Sequence, residues 1–150
     1  MSSQVVDVVG RVGTERAHLL EVLRQLQGDT NYLSEQVLVD VATTMDIPLS
    51  HVYGVASFYS LYSTEPKGRY IIRICENAPC HIDGAVDVIH AFKDELGIDL
   101  SETTDDGLFS LELTSCLGVC GVAPAVMVND VVYGNVTPES VRGILEKYRQ

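Results

Sequence analysis

The stretch STEPKGRYIIRICENAPCHIDG, residues 63–84, decides how this chain is read. Its first six residues, Ser63 to Gly68, are polar and turn-forming, and they interrupt the pattern that precedes them. The next seven, RYIIRIC, are rich in branched side chains and predict a strand ending on Cys75. Cys80 follows after four residues, in a segment bearing Pro79 and Gly84. The stretch therefore divides the chain into an N-terminal helical region, residues 1–65, and a sheet-containing domain, residues 66–150, and it sets a pair of cysteines where the first strand stops.

Upstream, residues 14–62 read as helical. Thr14 is placed to cap ERAHLLEVLRQLQ, in which Leu19, Leu20, Leu23 and Leu26 form one apolar stripe, with Gly28 as the stop. Ser34 is placed to cap a second helix with Leu38, Val41, Ala42 and Met45 on one face. Pro48 opens a third segment, where Val52, Val55, Tyr59 and Tyr62 recur at helical spacing around a breaking Gly54. Three or four short helices make a small bundle.

Downstream, residues 85–96 predict a helix carrying Val88, Ile89, Phe92 and Leu96 inward and stopped by Gly97. LFSLELTSC alternates with a period of two residues up to Cys116. PAVMV and VVY flank Asn129-Asp130 as a hairpin with a two-residue turn. Thr137 with Pro138 caps a final helix bearing Val141, Ile144, Leu145 and Tyr148. The order strand, helix, strand, strand, strand, helix suits a small sheet covered by helices in the thioredoxin manner, an α+β/α/β architecture. If the first two strands run parallel, both cysteine pairs begin at one rim of the sheet.

Composition limits what the protein can do. With 150 residues, 46% of them hydrophobic and 21% charged, the chain can bury about two thirds of its unfolded surface without cross-links. A net charge of −11 argues against nucleic acid and anionic membranes as partners, because both are bound through Lys and Arg. No segment approaches the ~20 apolar residues of a membrane span, and MSSQVVDVVGRVG lacks the pattern of a leader, so a cytoplasmic location without membrane insertion is expected. In that compartment thiols stay reduced, which leaves the cysteines for something other than disulfides.

The four cysteines are arranged as C-x4-C, Cys75 and Cys80, then C-x3-C, Cys116 and Cys120. All fall at strand ends or in loops bearing Pro79, Gly118 and Gly121, and not on the stripes where cysteine serves as a small hydrophobe. Four thiolates can hold zinc or a 2Fe-2S cluster. Structural zinc prefers C-x2-C knuckles, whereas spacings of three and four suit the wider, two-iron object, so the spacing favours iron–sulfur and leaves zinc open. It is neither the plant-type ferredoxin pattern nor a C-x2-C dithiol, and a Rieske centre would need two histidines where only His81 adjoins a cysteine. Gly118 and Gly121 can take positive φ and aim backbone N–H groups at sulfur, while Glu76 and Asp83 flank the first pair. His81 reads as a donor near a sulfur or a solvated residue. His18, His51 and His90 carry weaker signals.

Four motifs, VYGVASFY at 52–59, C-x4-C at 75–80, C-x-G-x-C-G-x-A-P at 116–124 and VNDVVYGNVTPESV at 128–141, span most of the chain in a fixed order. With them the chain resembles the thioredoxin-like 2Fe-2S subunit of NADH dehydrogenase, the 24 kDa subunit of respiratory complex I. Counterparts of that subunit occur in NAD(P)-linked hydrogenases, including electron-bifurcating ones, and in NAD-linked formate dehydrogenases. The resemblance implies an N-terminal helical part, a C-terminal thioredoxin-like ferredoxin domain and one 2Fe-2S cluster held by Cys75, Cys80, Cys116 and Cys120, each pair on one iron. It also implies a flavoprotein partner that binds FMN and NAD(P)(H), with the cluster close to the flavin, and further iron–sulfur, hydrogenase or dehydrogenase subunits. The implied role is a one-electron carrier without an acid, base or nucleophile of its own, in a soluble NAD(P)-linked hydrogenase or formate dehydrogenase. The alternatives are a complex I subunit, or a mainly structural subunit with its cluster off the main electron path. No G-x-G-x-x-G follows a strand to suggest a nucleotide site in this chain. Two residues depart from the family pattern: Asp83, where many members have Arg, and Ser57, where Thr is common.

Overall fold

The computed structural model describes residues 2–149. They form two compact units, one ending at Lys67 and the other beginning at Gly68.

The N-terminal unit contains α1 (Ser3–Val12), a 3-10 turn (Arg16–His18), α2 (Leu19–Gln27), α3 (Glu35–Met45) and α4 (Leu49–Phe58). Its core is built from Val5, Val8 and Val9 of α1, Val22, Leu23 and Leu26 of α2, Leu38 and Val41 of α3, and Val52 and Ala56 of α4. Ser34 caps α3 as its position predicts, its Oγ accepting the backbone N–H of Val37 at 3.3 Å. Several details of the helical reading change. A helix over residues 3–12 precedes the first expected one, because valines at i, i+3 and i+4 are fixed by burial although β-branched residues are modest helix formers. Thr14 does not cap α2; the chain makes a 3-10 turn first, and α2 starts at Leu19. Gly28 follows α2 in ordinary helical geometry, and α4 runs unbroken through Gly54. Beyond the end of α4, Tyr62 is nevertheless buried, with its hydroxyl donating to the Leu20 carbonyl at 2.6 Å.

The C-terminal unit contains β1 (Tyr70–Cys75), a short α5 (Ala78–Ile82), α6 (Ala85–Leu96), β2 (Phe109–Thr114), a 3-10 turn (Cys120–Val122), β3 (Val126–Val128), β4 (Val131–Tyr133) and α7 (Pro138–Glu146). The four strands lie in the order β2-β1-β3-β4. β1 and β2 are parallel, with Tyr70 opposite Phe109 and Cys75 opposite Thr114; β3 pairs antiparallel with both β1 and β4. One alternating set, Ile72, Ile74, Phe109, Leu111, Val126 and Val128, forms the core with Val88 and Phe92 of α6 and Val141, Ile144 and Leu145 of α7.

Three polar devices fix the ends of these elements. Asn129 takes φ +49° in the β3–β4 turn, and its Oδ1 accepts the Ile71 N–H at 2.8 Å, tying the hairpin to β1. Buried Ser110 accepts the Gly68 N–H at 2.7 Å, and a Cβ on Gly68 would stand 2.7 Å from the Phe109 carbonyl carbon, so the chain can enter β1 here only as glycine. Thr137 and Ser140 form a reciprocal capping box at the start of α7.

Phe92 is fully buried, and Phe92→Ala should destabilise the C-terminal unit by about 3–5 kcal/mol in denaturant unfolding. In the other unit, buried Asp40 accepts the Ser2 N–H at 2.7 Å and the Gln36 side-chain N–H at 3.0 Å, which holds its carboxyl below the usual range. A lowered folded pKa means stabilisation present above the unfolded value of about 3.9 and lost as pH falls through the folded one. Hydrogen-exchange protection in α1, taken relative to the intrinsic exchange rate at each pH, should therefore fall as the pH drops through the folded pKa of Asp40, and Asp40→Asn should remove that fall.

Candidate metal centre

Each cysteine is set by a different local device. Cys75 closes β1, and its N–H donates to the Ala125 carbonyl at 3.2 Å. Cys80 lies on α5 and not in a loop, since Asn77 precedes the helix and Pro79 fits its first turn; this five-residue helix has too little apolar periodicity to be read from sequence. Cys116 follows β2 by two residues, and Cys120 opens the second 3-10 turn. Because β1 and β2 are parallel, both pairs leave the sheet at the same rim.

The four thiols converge. Cys116 Sγ lies 3.5 Å from Cys120 Sγ, and Cys75 is close enough to act electrostatically on Cys80, Cys116 and Cys120. Cys75 and Cys80 are 1% and 2% exposed, packed with Ala85 and Ala125, whereas Cys116 and Cys120 are exposed. Two backbone donors face the thiols: the Gly118 N–H stands 3.3 Å from Cys116 Sγ, and the Ala125 N–H faces Cys80. The electrostatics differ accordingly. Burial pushes the Cys80 thiol up against the pull of Ala125; the Gly118 N–H draws the Cys116 thiol down; contact with Cys116 raises Cys120.

Among the described residues, no three His, Cys, Asp or Glu side chains gather as ligands to one metal ion. Structural zinc prefers C-x2-C knuckles, and pair spacings of four and three residues suit a group that spreads its ligands over two metal ions. Ala85 and Ala125 pack with Cys75 and Cys80, with Leu117, Val119 and Ala123 against them, and a Cβ on Gly118 would meet nothing within 4 Å. Four thiols brought together at one rim of the sheet are a donor set that fits a [2Fe-2S] cluster.

A family model described as thioredoxin-like [2Fe-2S] ferredoxin matches residues 5–149. The chain belongs to the thioredoxin-like [2Fe-2S] ferredoxin family. A relative of this ferredoxin chain in Solidesulfovibrio fructosivorans, named NADP-reducing hydrogenase subunit HndA, is 43% identical over 145 residues, covering 97% of this chain and 85% of its own. A subunit of the NADH-quinone oxidoreductase of Pseudomonas aeruginosa is 39% identical over 133 residues, covering 89% and 80%. In structure, 87% of the ferredoxin chain superposes on 22% of a chain in the air-oxidised NAD+-reducing [NiFe]-hydrogenase, with a TM-score of 0.78 at 24% identity, a likeness of fold.

The remaining candidates separate. Gly118 has φ +80° and delivers its N–H to sulfur, whereas Gly121 lies within the 3-10 turn without positive φ. Glu76, His81 and Asp83 are exposed, and the His81 ring has no hydrogen-bond partner among the described residues. His18 packs against Gly13, with its buried Nδ1 unpartnered, and His51 meets Arg16. The donor at Ala125 escapes sequence reading, since a backbone N–H leaves no side-chain signature. In the metal-free chain, brief alkylation should label Cys116 first and Cys75 and Cys80 last. Its lowered pKa keeps Cys116 a thiolate to lower pH than Cys120, so acidification should slow Cys120 labelling earlier, as read by peptide mass spectrometry.

Proposed function

We propose that Cys75, Cys80, Cys116 and Cys120 hold one [2Fe-2S] cluster, each pair on one iron, and that the chain is an iron–sulfur electron-transfer subunit of a multisubunit NAD(P)-linked oxidoreductase. The convergence of four thiols from two segments about forty residues apart in sequence carries this reading. When bound, such a cluster takes up and returns one electron at a time.

The chain's own residues ligate, shield and tune. Cys75 and Cys80 close the inner side against water, while Cys116 and Cys120 leave the outer side open to an electron partner. The N–H groups of Gly118 and Ala125 donate to sulfur, which favours the more negative, reduced state and raises the potential. Its neighbours are the other subunits of the complex, foremost an FMN- and NAD(P)-binding flavoprotein. A hydrogenase is the leading parent, supported by the relative with the higher identity and coverage; NADH-quinone oxidoreductase is the second reading, supported by the Pseudomonas aeruginosa relative. No helix among the described residues is long and apolar enough to cross a membrane, and the assignment is to the cytoplasm.

Chain purified without oxygen should contain two irons and two sulfides, with visible absorption that bleaches on reduction. Stoichiometric zinc without iron would sink the reading. Cys75→Ala and Cys120→Ala should each remove most of the bound iron. Isolation of the native complex, followed by assays for hydrogen oxidation and for quinone reduction, separates the two parents.

A further inference from the structure

The N-terminal unit carries a pocket of about 440 Å³ lined by Arg16, Leu19, Leu20, His51, Val55 and Tyr59, among others. Two of these side chains are basic and touch. Nε of Arg16 donates to Nε2 of His51 at 3.0 Å, and Nη2 of the same guanidinium stands 3.0 Å from Nδ1. A neutral imidazole has one acceptor nitrogen and one N–H. Only one of these contacts can then be a hydrogen bond, and the other sets donor against donor; a protonated ring would satisfy neither.

Beyond the single hydrogen bond inside it, the pair thus concentrates donors for which the other ring nitrogen offers no acceptor. Among the described residues no carboxylate lies within ion-pair distance of Arg16, whereas Arg24, Arg73, Arg142 and Arg149 each have a glutamate partner. This occurs in a chain with 21 acidic and 10 basic residues, where a carboxylate is the commonest charged neighbour available. Around the pair the surface is apolar. Leu20 and Tyr59 are each 42% exposed, and Phe58, 80% exposed, stands edge-on to Tyr59 at a ring-centroid distance of 5.0 Å. Large aromatic side chains left in water beside a guanidinium without a carboxylate partner describe an interface and not a core.

We infer that this pocket docks a neighbouring protein of the complex, receiving an Asp or Glu side chain flanked by an apolar residue. The carboxylate accepts from the Arg16 guanidinium and from His51, and the apolar neighbour covers Leu20, Tyr59 and Phe58. Charge complementarity selects this occupant. With a net charge of −11 the chain repels a second copy of itself and an anionic lipid surface, whereas a single acid on a partner polypeptide meets a local cation. The inference rests on the reading that the chain is one subunit of a larger assembly.

The test uses the tagged chain co-expressed with the other subunits of its complex. Arg16→Glu should weaken retention of the neighbouring protein by about tenfold or more, and Phe58→Ser should weaken it as well, while the circular dichroism and visible spectrum of each isolated variant match wild type. Arg16→Lys should restore retention, and a water-soluble carbodiimide should then join the introduced amine to a carboxylate of that neighbour, located by peptide mass spectrometry. Wild-type retention by Arg16→Glu, or a cross-link only to a second copy of the chain, overturns the docking site and leaves the cluster assignment standing. A wild-type chain that retains no other subunit defeats the subunit reading itself, and the docking site falls with it.

Discussion

The parallel pairing of β1 with β2 is the constraint on which the rest of the molecule depends. Tyr70 opposite Phe109 and Cys75 opposite Thr114 bring both strands to their ends at the same rim, so that the segments bearing the two cysteine pairs leave the sheet side by side. Antiparallel pairing would carry the second pair to the far end of a six-residue strand, roughly 20 Å away. A slip of one residue would turn Ile72 and Ile74 out of the core. The register is guarded by the apolar face packed on α6 and α7 and by Asn129, whose side chain ties the β3–β4 turn to β1.

The site inherits an asymmetry from this arrangement. Cys75 belongs to the central strand and Cys80 to a helix folded onto it, so both sulfurs sit among alanines out of water. Cys116 and Cys120 lie on a loop beyond the edge strand and face solvent. Electron transfer is served by such a division: an insulated side keeps water from the sulfurs, and an open side admits a partner. The backbone N–H groups of Gly118 and Ala125 add fixed donors that need no titration to act.

Much of the fold was legible because its signals are local. The alternation in β2, the stripe of α6, the Asn129-Asp130 turn and the Thr137-Pro138 start of α7 each lie within a few residues, and the structure has all four. The helices without such marks, α1 and α5, were not legible: one is built on valines, whose preference is for strands, and the other has five residues. Thr14 has the residue type of a cap and is not one, because the chain leaves Gly13 at φ +127°, where a Cβ would strike the His18 ring, and makes a 3-10 turn before α2.

The sequence by itself determined the chemistry available: four thiols in two closely spaced pairs, no competing cysteine, and a periodicity that changes near Gly68. Only the tertiary structure decided that Cys75 and Cys116 come together, that one pair is buried and the other exposed, and that Arg16 meets His51 from 35 positions away. Spacing and periodicity act through neighbours along the chain, where backbone geometry alone fixes who can meet. Contacts between distant segments exist only once apolar faces have paired and excluded water, and their partners and exposure follow from that whole packing.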